Sequence, residues 1–357
     1  MNSVLLQTRD LEIGYKIRRP ASAAATHGHR YMARVVAGHL SLSLRQGELV
    51  CLLGPNGSGK STLMRTLAGV QKALGGQVRL EGREISRMSP REVARKLSLV
   101  LTDRVATGNL NVYALVALGR YPYTGWMGRL SEKDEAVVRH AIESTGIRRF
   151  ALRHISDLSD GERQKVMIAR ALAQDTPVIM LDEPTAHLDL PNRIEVMSLL
   201  KELARKQGKA VVMSTHELDL ALQAADRIWL MGAPGSDGTP AEMVSGMPEE
   251  LVLDGRLEGA FKRNGFEFDR HSGSFRIHHE PEETIGLVGD GAEAYWTRRA
   301  LERKGFRVVS GPDMPFRVEI RGREDERAWT YVDGKGGVQD CCDICSLIDA
   351  LEQRRGA

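Results

Sequence analysis

The eight residues Gly54-Pro55-Asn56-Gly57-Ser58-Gly59-Lys60-Ser61 constrain this chain more than any other feature. They match G-x-x-x-x-G-K-[ST] and lie between the apolar run Leu49–Leu53 and a helical pattern that begins at Ser61. A continuous apolar run of that kind suits a parallel strand covered on both faces. The glycines let the backbone curl so that successive N–H groups point inward, forming an anion nest at a helix N-terminus. Lys60 is placed to reach β- and γ-phosphates, and the Ser61 hydroxyl to ligate Mg²⁺. A purely structural Gly-rich turn is the competing reading; the strand-then-helix setting argues against it.

A second buried strand, Val178-Ile179-Met180-Leu181, runs into Asp182-Glu183. Ligands bind at the C-terminal edge of an open parallel sheet, so this placement suits Asp182 for holding Mg²⁺ and Glu183 for polarising an attacking water as general base. A strand running into a turn would look the same in isolation; beside a phosphate loop the functional reading is favoured. Ala210–Met213 and Arg227–Met231 read as further strands, and their alternation with helical stretches predicts a largely parallel sheet. Residues 1–16 read as an edge strand ending at Gly14-Tyr15, and Arg18 to Arg34 as a surface loop or hairpin tip. Leu40-Ser41-Leu42-Ser43-Leu44 alternates strictly, predicting a strand with one wet face. The stretch from about 104 to 170 is mostly helical in pattern, with a Gly/Pro turn at Gly119–Gly125. Beyond about residue 270 come strands near 274–278, 284–288, 307–310, 316–320 and 328–332. A capping-box spacing at Asp290–Glu293 opens a helix that stops at Gly305, and a closing helix spans about 343–353.

With 50 Lys+Arg against 47 Asp+Glu, the formal charge of +3 makes no electrostatic case for nucleic acid. The apolar runs fall far short of the ~20 residues a spanning helix needs. Arg9, Asp10 and Glu12 interrupt any secretory-type N-terminal stretch. Four cysteines, three of them bunched at Cys341, Cys342 and Cys345, do not make a disulfide framework. A soluble, cytoplasmic, multi-domain α/β chain is expected, and action at a membrane would need another chain's span.

Leu158-Ser159-Asp160-Gly161-Glu162-Arg163-Gln164 lies shortly before the carboxylate strand and begins a helical pattern. Together with the phosphate loop and the carboxylates, these residues resemble the ATP-binding cassette (ABC) ATPases over about residues 1–260. The fold this implies is an α/β P-loop NTPase of the ABC type, a mixed sheet core plus helical subdomain. The boundaries that follow are an ATPase domain at 1–265, its helical subdomain at about 104–170, and a small α+β domain at 266–357. The resemblance makes Gly54, Asn56, Gly57, Ser58, Gly59, Lys60, Ser61 and Thr62 the phosphate-binding set, with ATP and Mg²⁺ as ligands. It further implies that Ser159 and Gly161 address the γ-phosphate held by an opposite subunit. The family usually reads Leu-Ser-Gly-Gly-Gln there, so Asp160 and Glu162 depart from it, and Asp160 is expected to face away from ATP. Tyr15 is placed like the aromatic that stacks on adenine, Asp189 closes a loop that crosses the dimer interface, and His216 resembles the switch histidine that contacts γ-phosphate. The family's Gln, which touches Mg²⁺ and the attacking water, aligns with Thr102. Thr is too short for that reach, so either Asp103 substitutes or coupling works differently.

One phosphate loop per chain implies a head-to-tail homodimer. Ala117-Leu118-Gly119-Arg120-Tyr121-Pro122-Tyr123 and Leu130-Ser131-Glu132-Lys133-Asp134 resemble importer ATPases for iron–siderophores, haem and cobalamin. That resemblance implies a peripheral subunit on the cytoplasmic face of the inner membrane, partnered by an integral permease and, indirectly, a periplasmic or extracellular substrate-binding protein. The alternative is a soluble cassette ATPase of translation or DNA repair; such proteins usually fuse two cassettes or carry long coiled coils, and this sequence shows neither. The C-terminal segment reads as a ligand sensor, an inhibitor or an enlarged dimer interface. Its three cysteines with His271, His278 and His279 read either as a metal or redox sensor or as small buried residues.

Overall fold

Leu49–Leu53, Val178–Leu181 and Ala210–Ser214 are buried at every position, as strands covered on both faces must be. In the computed structural model they lie side by side in a six-stranded sheet. Its order is Met243–Gly246, Arg227–Met231, Leu49–Leu53, Ala210–Ser214, Val178–Leu181 and Leu97–Val100. Met243–Gly246 joins antiparallel, and the other four pairings are parallel. The C-terminal ends of the strands at 49–53, 178–181 and 210–214 therefore share one edge. The structure describes residues 3–18, 31–101, 109–235, 239–261, 266–270, 273–277, 283–321, 328–334 and 336–356. Two compact units divide the chain: residues 1–262 with 268–274, and residues 263–267 with 275–357.

The first strand is not an edge. Val4–Arg18 pairs antiparallel with Tyr31–Leu40, with Ser43–Arg45 and with Gly75–Leu80, so both of its sides are paired. Its Leu6, Leu11 and Ile13 are fully buried, so pairing and packing both favour an interior place. The ladder runs out to Arg18 opposite Tyr31, so Tyr31 to Arg34, expected in a loop, are strand. Residues 19–30 of that expected loop lie outside the described residues. The Leu40–Leu44 alternation holds in burial, but the strand breaks at Ser41-Leu42, where the Thr8 hydroxyl donates to Leu40 O and accepts from Leu42 N.

Helices Val112–Ala117, Glu132–Ser144 and Asp160–Ala173 occupy the middle of the chain. The Tyr-Pro-Tyr turn between the first two is locked by arginines. Buried Arg120 pairs with Asp134 at 2.8 Å, donates to Ala173 O at 2.9 Å and stacks 3.9 Å over the Tyr123 ring. Arg91 and Arg95 both donate to Pro122 O. Tyr121 and Trp126 are left exposed, Trp126 at 95%. Among the described residues no helix is long and apolar enough to cross a membrane.

The second unit has a five-stranded sheet ordered Phe306–Ser310, Glu283–Val288, Arg317–Arg321, Ala328–Val332 and Val338–Cys341. The first two pairings are parallel and the last two antiparallel. Helices Gly291–Arg303 and Ile344–Gly356 bring Leu301, Leu347, Ile348 and Leu351 into one core with Ile285, Val318 and Trp329. The strand at 338–341 lacks an apolar run: Val338, Gln339 and Asp340 are all exposed and only Cys341 is buried. The capping box expected at Asp290 does not form; Asp290 is the N-cap residue, but its side chain makes no cap hydrogen bond.

Candidate functional site

The phosphate loop follows directly from its strand. Gly59, with φ +107°, is the N-cap of helix Lys60–Leu67, and a Cβ there would sit 2.3 Å from Val36 Cγ1. Only glycine supplies both that conformation and that clearance. Lys60 is buried and donates from Nζ to Gly54 O at 2.8 Å and Pro55 O at 3.2 Å. Burial pulls its pKa below the ordinary lysine value, while the carboxylates of Glu183 and Asp182 oppose that shift, which places both acids near the ammonium. Ser58 Oγ is buried with no hydrogen-bond partner among the described residues. Tyr15, half exposed, hydrogen-bonds through its hydroxyl to Thr62 Oγ1 at 2.6 Å, so the aromatic expected over the base is tied to the phosphate-loop helix.

Asp182 and Glu183 leave their strand in different directions because Glu183 takes φ +49°, a left-handed conformation that a non-glycine residue holds only under constraint. Ser214, at the end of the neighbouring strand, supplies the constraint: its hydroxyl accepts from Glu183 N at 2.9 Å and donates to Asp182 Oδ1 at 2.6 Å. Sequence reading passed over Ser214. Its signal was its place at the end of a buried strand, one residue before Thr215-His216. His216 Nε2 lies 2.5 Å from Glu183 Oε1, so the expected base and the expected switch histidine form one dyad. Glu217 next to it pairs with Arg193 at 2.7 Å, and Arg193 also donates to Leu188 O. The loop closed by Asp189 is thereby tied to the dyad within the chain.

Ser159, Gly161 and Asp189 form a second group. Ser159 caps helix Asp160–Ala173 in a capping box with Glu162, so Glu162 does what a glutamine at that position also does. Asp160 pairs with Arg163 at 2.9 Å. Asp189 caps helix Leu190–Gln207 and accepts from Asn192 Nδ2 at 2.6 Å. A Cβ on Gly161 would meet the Asn192 side chain at 2.7 Å, so the two helix N-termini are packed with no room to spare. These hydrogen bonds stay within the second group and do not reach the phosphate loop. Thr102 and Asp103 lie outside the described residues.

Mg²⁺ calls for hard oxygen donors and usually takes one or two carboxylates plus phosphate oxygens rather than an all-protein cage. The Asp182 carboxylate and the exposed Ser61 hydroxyl are donors of that kind, and among the described residues no group of three or more His, Cys, Asp or Glu side chains could hold an ion by itself. The residues fit the ion.

Comparison with known proteins bears on both units. The family described as ABC transporter matches residues 37–186, and the family described as iron ABC transporter C-terminal domain matches residues 282–352. An uncharacterized ABC transporter ATP-binding protein of Methanocaldococcus jannaschii is 34% identical over 279 residues, covering 78% of this chain and 94% of that protein. The achromobactin transport ATP-binding protein of Dickeya dadantii is 43% identical, covering 60% of this chain and 80% of its own length. The iron(3+)-hydroxamate import ATP-binding protein of Bacillus subtilis is 36% identical over 61% of this chain and 82% of its own. Among solved structures, a metal-chelate type ABC transporter in an inward-facing conformation superposes with a TM-score of 0.59 at 24% identity, covering 77% of this chain and 96% of that one. An ATP-binding cassette of an ABC transporter in its ADP conformation gives 0.59 at 21% identity over 72% of this chain and 98% of that one. The mixed sheet with its phosphate loop, carboxylate strand and helical insertion is thus the ABC-type P-loop fold, and the chain belongs to the ATP-binding proteins of ABC transporters, ATPases that couple hydrolysis to transport.

Proposed function

We propose that this chain is the ATP-hydrolysing subunit of an importer for an iron–siderophore or a related metal chelate. The reading rests above all on one conjunction: an ABC ATPase unit and an iron-transporter C-terminal unit in the same chain, among relatives named for achromobactin, petrobactin and iron-hydroxamate import. Two copies pair head-to-tail as a homodimer and sit on the cytoplasmic face of an integral permease, which a substrate-binding protein loads from the other side. The exposed Tyr121 and Trp126, held out by the arginine-locked turn, belong to the surface that meets the permease.

In this reading the amides around Asn56–Ser61 and the Lys60 ammonium hold the β- and γ-phosphates, Gly54, Gly57, Ser58, Gly59 and Thr62 shape the cradle, and Tyr15 stacks on the base. Asp182 and Ser61 hold Mg²⁺, which when bound neutralises charge on the phosphate oxygens. Ser214 holds the Asp182 and Glu183 positions apart, so that one carboxylate serves the ion while the other accepts a proton from the attacking water. His216 orients the Glu183 carboxylate through their hydrogen bond and contacts the γ-phosphate. Ser159 and Gly161 of the twin close over that phosphate with a helix N-terminus, whose partial positive charge favours the anion. Asp189 ties the two sites together. ATP bridges the closed dimer, and hydrolysis removes the bridge.

The test is capture from membranes. Tagged full-length protein incubated with detergent-solubilised membranes is expected to recover an integral permease, and its ATPase rate to rise when a ferric-siderophore-loaded binding protein is added to the reconstituted complex. Recovery of ribosomes or DNA without a permease would point to the soluble, non-transport class.

A further inference from the structure

The sequence Cys341-Cys342-Asp343-Ile344-Cys345 in the second unit is not used by ATP chemistry, and the fold gives its three thiols different exposure. Cys341 ends strand Val338–Cys341 and is buried in the core of the unit, where burial raises its pKa. Burial of that kind disfavours the thiolate that both a nucleophile and a metal ligand require. Cys342, one residue past the strand, is exposed, and so is Cys345, one residue inside helix Ile344–Gly356.

The two exposed thiols bracket the first turn of that helix. The Asp343 carboxylate accepts from Ser346 N at 2.7 Å, which makes Asp343 the capping residue, with Cys342 just before it and Cys345 two positions after. Cys342 Sγ reaches Ser346 Oγ at 3.8 Å, so the Cys342 side chain folds over the turn toward the helix instead of away from it. The Cys-x-x-Cys spacing at a helix start is the one used by dithiol–disulfide pairs, whose bond needs Cα atoms about 4.4–6.8 Å apart.

We infer that Cys342 and Cys345 form a reversible dithiol–disulfide site that exchanges with low-molecular-weight disulfides such as oxidised glutathione. The thiolate of one cysteine attacks the small disulfide, forming a mixed disulfide and expelling one small thiolate. The second cysteine, giving up its proton, attacks the mixed disulfide, closes the Cys342–Cys345 bond and expels the second small thiol. One small disulfide is reduced to two thiols as the protein dithiol loses two hydrogens.

The surroundings favour this over a metal site. Cys341 is buried in the core, and among the described residues no group of three His, Cys, Asp or Glu side chains could hold an ion; His271, His278 and His279 lie outside the described residues. The helix N-terminus that would stabilise a thiolate is already taken by the Asp343 carboxylate, held ionised by the backbone N–H and hydroxyl of Ser346.

The experiment uses the full-length chain, equilibrated with glutathione buffers of graded ratio, acid-quenched and read by intact mass and peptide mapping. Wild-type protein is expected to lose two hydrogens, with the cross-link mapped to Cys342–Cys345. Cys342→Ser and Cys345→Ser are each expected to stop at one bound glutathione on the remaining cysteine. Glutathione accumulating on both cysteines of the wild type without cross-linking would overturn the site, as would a cross-link that includes Cys341 or Cys51. Stoichiometric retention of added Zn²⁺ that both variants abolish would overturn it in favour of a metal site.

Discussion

Both units build parallel strands with helices packed against them, yet they use the edges of their sheets differently. In the first unit the strands Leu49–Leu53, Val178–Leu181 and Ala210–Ser214 are neighbours with the same direction. Their C-terminal ends deliver the phosphate loop, Asp182-Glu183 and Ser214–His216 to one place. The second unit also has three mutually parallel strands, and charged side chains beside them pair within the unit. Arg354 lies 3.9 Å over the Phe316 ring and pairs with Glu283, and Arg298 donates to Val308 O and Ser310 Oγ. Parallel topology supplies a common edge; the chemistry of the residues carried to that edge decides whether it becomes a site.

The strongest way to break this contrast is at Glu183. Glu183→Gln keeps the shape but cannot accept a proton, so hydrolysis is expected to fall by about 10²–10⁴-fold while ATP binding persists and ATP-dependent dimers accumulate in sedimentation. Lys60→Ala is expected to lose nucleotide affinity instead, and to stay monomeric under the same conditions. A Glu183→Gln protein that remains monomeric with ATP would contradict the shared-site arrangement.

In the second unit the matching probe is Trp329, which is 5% exposed and donates from Nε1 to Thr297 Oγ1 at 2.8 Å. Trp329→Ala should cost about 3–5 kcal/mol, seen as an earlier unfolding step assigned to this unit by proteolysis. The ATPase rate at low temperature should stay within about twofold, as expected for sites without shared partners. A collapse of hydrolysis would show that the two units are energetically one.

Ser214→Ala is the next smaller perturbation. It leaves Glu183 N without its acceptor and removes a donor to Asp182, a loss of about 1–3 kcal/mol that should appear mainly as a fall in kcat of around tenfold. Equal loss in a Ser214→Thr variant, which keeps the hydroxyl, would argue for packing instead of hydrogen bonding.

Ser214 also marks where sequence reading stops. The phosphate loop, the carboxylate strand and the Ser159 helix start were legible because each is a local pattern: a turn, an apolar run, a cap. Ser214 acts on residues 31 and 32 positions away, through strand adjacency that only the folded sheet creates. The same limit explains the first strand. Its sequence suited an edge, but three partner strands from later in the chain enclose it. The Asp290–Glu293 spacing shows the converse, a local pattern present in the sequence but unused by the fold.

Glu162 gives the finest distinction. Its carboxylate accepts from Ser159 N at 3.0 Å, and that bond, before the Ser159 hydroxyl and the arginines nearby, holds its pKa below the ordinary glutamate value. A carboxylate whose pKa is lower in the folded state contributes stability that is present above the unfolded value and is lost as pH falls through the folded one. Glu162→Gln keeps an acceptor oxygen at the same place, so the capping box should survive and stability at neutral pH should change by less than about 0.5 kcal/mol. What should change is the slope: below the ordinary carboxylate range the wild type loses stability relative to the variant, and the two acid denaturation curves converge from there. Because this residue is where the chain departs from the Gln usual in its family, the comparison isolates what the charge adds. If the variant matches wild type in stability at every pH but hydrolyses ATP at a different rate, then the carboxylate acts on the nucleotide of the opposite subunit and not on its own helix.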